Sequence, residues 1–245
     1  MRNIRLQISY DGTRYRGWQR LPGAENTIQG KLERVLSRIL GEEIEISGSG
    51  RTDAGAHARG QVANFHCKSA MSCDEILSQL RRYLPEDIGI ESCQEAAPLF
   101  HARLNCKTKT YCYRLWNSSK PCIFQRRYVY VVEEELDIPA MEQAAQLLLG
   151  EHDFSAFCAK RNSKKSTVRR IDSLTIERQG EELVFSVTGN GFLYNMVRIL
   201  TGTLLGVAQG KIDENEIEAI IESRDRTRAG VTAPACGLYL NRVEY

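Results

Sequence analysis

A change of hydrophobic period recurs in the same order along both halves of this chain. Ile4, Leu6, Ile8 and Tyr10 alternate with polar residues, the period of a half-buried strand, and Asp11-Gly12-Thr13 turns the chain after it. Thr27 then stands as a cap before Ile28, Leu32, Val35, Leu36 and Ile39, which share one helical face, with Gly41 as the stop. Strands are expected over Glu43–Ser49 and Gln61–Cys67, on either side of the loop 50–58. Ser72 and Glu75 make a capping box for a helix through Ile76, Leu80 and Tyr83, with Pro85 beyond it, and a strand over 88–96 closes the half.

The second half repeats this succession. Lys107–Asn117 alternates through Tyr111, Tyr113 and Leu115, and a helix follows from Pro139 to Leu149 with Gly150 as its stop. Strands over 168–177 and 183–189 come next, then a long apolar helix over 191–208, a shorter polar one over 213–223, and a last strand Leu238–Val243. Each half reads β-α-β-β-α-β, the ferredoxin-like order. The expectation is an α+β chain of two ferredoxin-like halves, residues 1–105 and 106–245, in a pseudo-twofold relation. An antiparallel or mixed central sheet and a cleft between the halves belong to the same expectation.

Composition removes several classes of protein. At 245 residues, 42% hydrophobic and 26% charged, the chain can bury a full core and is not a disordered scaffold. A net charge of +2, from 33 basic and 31 acidic residues, excludes a histone-like wrapper but leaves room for a local basic face. The first residues lack the apolar core of a signal peptide, and no run approaches the roughly 18 apolar residues of a membrane helix, so a cytoplasmic protein with no membrane partner is expected. None of the eight cysteines forms a C-x-x-C pair, and His57, His66, His101 and His152 are widely separated, so no metal site is expected and the cysteines are expected to be free thiols.

The segment richest in chemistry is Ser49-Gly50-Arg51-Thr52-Asp53-Ala54-Gly55-Ala56-His57-Ala58. Two glycines bracket a charged triplet in a loop held by strands, where catalytic side chains concentrate. It is no P-loop, because Gly-Lys-Ser/Thr does not follow. From these residues alone a plain hairpin connection with Asp53 as its turn residue stays open. In an extended stretch Arg51 and Asp53 point the same way, so Arg51 can pair with Asp53 or with a phosphate.

Gly50–His57 resembles the signature of the TruA family of tRNA pseudouridine synthases. Further segments match that family in order: Tyr10–Gln19, Thr27–Gly30, Phe100–Arg103, Lys109–Tyr113, His152–Phe154, Phe192–Arg198 and Gly237–Leu240. The resemblance runs from about residue 4 to 244, and its one noted departure is Ala56, where valine is usual. It implies an isomerase that converts uridine to pseudouridine at positions 38–40 of the tRNA anticodon stem-loop, without cofactor or metal, as a homodimer. It puts the essential carboxylate at Asp53 and an arginine that keeps it ionised at Arg198. Arg51 then assists displacement of the base, Tyr111 stacks on it, and Leu238 lines its pocket, all in a catalytic cleft between the halves. The chemistry agrees in kind, since an ionised carboxylate can act as nucleophile or base and a nearby guanidinium favours its charged form.

An extruded base costs a few kcal/mol, which phosphate contacts must offset. Lys160, Arg161, Lys164, Lys165, Arg169 and Arg170 form a run without an acid, and Arg14, Arg16 and Arg20 with Arg81 and Arg82 add smaller groups. These are expected to line a tRNA surface, Lys164 and Lys165 foremost. A solvated charged loop is the plain alternative for that run. A non-catalytic RNA-binding protein, or a synthase acting at other RNA positions, remains the rival reading of the whole chain.

Overall fold

The computed structural model describes residues 1–23, 26–159 and 166–245. In chain order its elements are β1 (Arg2–Tyr10), α1 (Ile28–Leu40), β2 (Ile46–Gly48), β3 (His57–Cys67), α2 (Cys73–Tyr83), β4 (Ile88–Ala96), β5 (Thr108–Trp116) and β6 (Tyr130–Val131). There follow α3 (Ile138–Gln146), β7 (Gly150–Asp153), β8 (Val168–Gln179), β9 (Glu182–Gly189), α4 (Met196–Ala208), α5 (Ile217–Ser223) and β10 (Leu238–Glu244). The fold is α+β with mostly antiparallel strand pairs. The chain divides into two compact units, Met1–Lys107 with Tyr239–Tyr245, and Thr108–Leu238.

In the first unit β1 lies between β4 and β3, antiparallel to both. The far edge of β3 is shared. Ala63–Phe65 pair with β2, while His57 and Ala58 run parallel to Tyr239 and Leu240 of β10. Ile4, Leu6, Ile8 and Tyr10 are all buried, as are Ile28, Leu32 and Leu36 of α1 and Ile76 and Leu80 of α2. Each such aliphatic side chain contributes about 1.5–3 kcal/mol on leaving water. The Thr27 hydroxyl caps α1 by accepting from Gly30 N at 3.2 Å, and Gly41 ends it at φ 70°. The Ser72–Glu75 capping box is formed at α2. On the opposite sheet face Asn3 Nδ2 donates to the carbonyls of Ala97 and Phe100 at 2.9 and 2.8 Å, and Asn64 Oδ1 accepts from Ala102 N at 2.8 Å. Two buried amides thus latch the Phe100–Arg103 segment to the sheet.

The second unit holds the antiparallel order β5-β9-β8-β7, with β6 parallel to the end of β5. Its α4 is almost wholly buried and packs backbone to backbone on residues 229–233. A Cβ at Gly202 would lie 1.9 Å from Val231 O, and one at Gly230 2.6 Å from Thr203 N.

Several elements depart from the expected bounds for local reasons. The helix expected from 191 begins at Met196, because Gly191 (φ 158°) and Asn195 (φ 60°) take non-helical backbone. The helix expected to reach Leu149 ends at Gln146, and Gly150 (φ 94°) opens a strand, β7, whose residues pair with Val168–Ile171. Strand β3 begins at His57, inside the stretch expected as loop.

Candidate active site

The loop between β2 and β3 is held from three sides by the chain that follows β1. Trp18 N donates to Thr52 O at 3.1 Å, Gly55 N donates to Tyr15 O at 3.3 Å, and Gly12 N donates to His57 Nδ1 at 3.1 Å. These approaches are too close for side chains. A Cβ at Gly12 would stand 1.9 Å from Ala56 O, one at Gly17 2.6 Å from Thr52 O, and one at Gly48 2.6 Å from the Trp18 ring. Gly17 is also in the left-handed region at φ 90°, where L side chains are strained. The Tyr10–Gln19 segment is therefore the clasp of the Gly50–His57 loop.

Beneath the loop lies a buried polar network. Tyr10 Oη and Thr52 Oγ1 share a hydrogen bond of 2.7 Å, Ser49 Oγ donates to Gln61 Oε1 at 2.6 Å, and Gln61 Nε2 donates to Gly50 O at 3.0 Å. All four side chains are buried. Burial lifts the Tyr10 phenol well above its ordinary pKa, so its hydroxyl stays protonated. Thr52 is turned inward, while on either side of it Arg51 is exposed and Asp53 half-buried. The Asp53 carbonyl accepts from Ala56 N at 3.1 Å, closing the turn after it. His57, at the end of the loop, is buried and stacks on Tyr239 with centroids 4.7 Å apart.

Tyr111, Arg198 and Leu238 belong to the second unit. Tyr111 is buried on β5, with its ring edge-on to Phe192 at 5.1 Å. Tyr113, two residues on, is fully buried and donates its hydroxyl to Pro234 O at 2.6 Å. Arg198 lies in the first turn of α4, where its Nε donates to Ala233 O at 2.7 Å and its Nη1 to Asn195 Oδ1 at 3.1 Å. The left-handed Asn195 thus serves as a support for the guanidinium. Leu238 is buried where β10 begins.

The basic residues divide. Lys160, Arg161, Lys164 and Lys165 lie outside the described residues. Arg170 is ion-paired with Asp172 at 2.6 Å and Arg14 with Asp87 at 2.7 Å, while Arg81 donates to the Ile90 carbonyl at 3.1 Å. Among the described residues no group of three or more His, Cys, Asp and Glu side chains could hold a metal, and no helix is long and apolar enough to cross a membrane. All eight cysteines are free thiols, and burial pushes that of Cys93 up to about 12.

Sequence reasoning found the Arg51–Asp53 triplet but not what holds it. Tyr10 reads as one more alternating strand residue, and Thr52 as the unremarked member of the triplet. The approach of the Tyr10–Gln19 segment was encoded in Gly12 and Gly17, whose spacing alone does not say which chain they admit.

Likeness along the whole chain gives its class, the isomerases that form pseudouridine in tRNA. The family model described as tRNA pseudouridine synthase matches residues 7–105 and 144–245. The chain is 47% identical to tRNA pseudouridine synthase A of Bacillus sp. (strain KSM-64) and 48% identical to that of Acetivibrio thermocellus, each over the whole length of both chains. It is 44% identical, again over both full lengths, to tRNA pseudouridine synthase A 2 of Clostridium perfringens. The chain belongs to the tRNA pseudouridine synthase family. It is an enzyme, an isomerase that turns uridine in tRNA into pseudouridine.

Proposed function

We propose that this enzyme modifies uridines 38, 39 and 40 of the tRNA anticodon stem-loop, with Asp53 as the catalytic carboxylate. The observation that carries the reading is the inward-turned Thr52, which leaves Arg51 exposed and Asp53 half-buried in a loop clasped by the Tyr10–Gln19 segment. Pseudouridine formation detaches the base from its ribose, turns it and rejoins it through carbon. A fixed carboxylate serves this as nucleophile, or as a base beside developing positive charge. Arg198, braced by Ala233 O and Asn195 Oδ1, is the cation assigned to the carboxylate's reaction. Arg51 assists displacement of the base, Tyr111 supplies an aromatic face for it, and Leu238 an apolar wall. Lys164 and Lys165 bind tRNA phosphates. The enzyme works as a homodimer in the cytoplasm and reads tRNA by shape.

The test is a paired assay of wild type and Asp53→Ala on unmodified tRNA, with pseudouridine mapped by position and binding measured alongside. Conversion at 38–40 by wild type, a loss on the order of 10³-fold or more in the variant, and retained binding are expected. Conversion at other positions would overturn the substrate assignment, and full activity in the variant would overturn the role of Asp53. Replacing Lys164 and Lys165 by alanine is expected to weaken tRNA binding and lower its salt slope by about 1–2. An unchanged slope removes them from the RNA surface.

A further inference from the structure

Away from the Asp53 loop, the first unit has an open cavity of about 530 Å³ whose walls include Arg20, Arg34, Gly30, Glu33 and Ser37. Its chemistry is set by a carboxylate out of reach of water. The Glu33 side chain is 5% exposed, and its Oε1 accepts from Ile46 N at 3.0 Å and from Gln29 Nε2 at 2.9 Å. Its Oε2 makes no well-directed hydrogen bond and faces Arg20 Nη1 at 3.1 Å. A charge withdrawn from water is costly unless it is paired, so Glu33 ties the Arg20 guanidinium to one place. Gln29 ties the same residue a second time, its Oε1 accepting from Arg20 N at 2.9 Å. The result is an arginine fixed through backbone and side chain, yet with 57% of that side chain exposed.

A surface arginine ordinarily loses rotamer freedom when it binds a partner, and one already anchored loses less. Its planar fork suits a phosphate or carboxylate. Arg34, one helical turn beyond Gly30 on α1, brings a second guanidinium to the wall of the same cavity. Glu43 at the rim is exposed and so screened by solvent. Position fixes which anion. Arg20 follows Trp18 by two residues, and Trp18 N is bonded to Thr52 O. Two residues of chain span at most about 7 Å, so Arg20 stands beside the loop that would meet the target strand, where the anion at hand is a backbone phosphate.

We propose that Arg20, held by Glu33 and Gln29, forms with Arg34 a binding site for a backbone phosphate of the RNA strand that carries the target uridine. The proposal rests on the reading of the 49–56 loop as catalytic. The site acts on binding and placement of the strand, not on the bond-making step.

The experiment measures binding of an unmodified tRNA transcript across a range of KCl for wild type, Arg34→Ala and Arg20→Gln. Arg34 is exposed on α1, so its loss leaves the core intact, and glutamine at 20 keeps a donor for Glu33 while removing the positive charge. Each variant is expected to lower the slope of log affinity against log salt by about 1 and to weaken binding roughly three- to tenfold at low salt. KM for tRNA should rise while kcat holds, with the thermal midpoint unchanged in Arg34→Ala and lowered in Arg20→Gln, which takes the cation from Glu33 and is therefore assayed below its own midpoint. Slopes equal to wild type in both variants would overturn the site. A wild type that binds tRNA but converts no uridine would sink the catalytic reading alone, because the slopes still decide whether Arg20 and Arg34 meet a phosphate.

Discussion

Thr52 shows how a single inward hydroxyl can govern its neighbours. Tyr10→Phe removes the partner of that hydroxyl and a contact to Gln61, at a cost of about 1–2 kcal/mol for a buried polar group left unmatched. The expected kinetic result is a lower kcat with an unchanged KM for tRNA, measured on folded enzyme. Gly17→Ala acts on the same loop through its backbone, and is expected to destabilise by about 1–3 kcal/mol in a urea titration. A third residue sets a dependence on acid. Burial would raise the Asp153 carboxyl, but donors from Ser155 and Thr167, with Arg224 at 3.1 Å, outweigh it and hold the pKa below the ordinary value. A depressed folded pKa gives stability that is present above the unfolded value and lost as pH falls through the folded one. The thermal midpoint of wild type should therefore exceed that of Asp153→Asn near neutrality, and the gap should close below about pH 4. At this scale the sequence marks the charged triplet as a local feature, whereas the partners of Thr52 and Asp153 come from distant sequence.

Among the elements, those with their own start and stop chemistry were read closely. The helix α1 runs from its Thr27 cap to Gly41, and α2 begins at the Ser72–Glu75 box. Ser72→Ala is expected to cost about 1 kcal/mol by thermal unfolding, with no effect on pseudouridine formation. Elements whose limits depend on tertiary contact were misread. The apolar run before Met196 looks helical, yet Asn195 leaves the helical region and its side-chain oxygen accepts a hydrogen bond from Arg198 Nη1. Buried helices also conceal their neighbours. Nothing in the run Leu200–Leu205 says that Gly202 faces a carbonyl at a distance no Cβ tolerates. Period tells which face is covered, not by what.

For the whole molecule, the repeated change of period suggests two parts, and the resemblance of ordered motifs names candidate site residues that periodicity cannot. The destination of the last strand was not visible. A strand's pattern sets its face and register preference but not its partner, and residues 239–245 join the first unit rather than the one that precedes them in sequence. Tyr239→Ala tests the energetic weight of that return. Losing the ring that stacks on His57 and lies under Arg59 is expected to cost about 2–4 kcal/mol and to lower activity by loosening the loop that His57 ends.

The same return sets a clock. Strand β10 is translated about 180 residues after the part of β3 it pairs with, and at about 5–20 residues per second the ribosome takes on the order of ten to forty seconds to deliver it. Throughout that interval the edge of β3 at His57 and Ala58 waits without its parallel partner. The nascent chain therefore completes the pairing at His57 and Ala58 only after the whole second unit has been made.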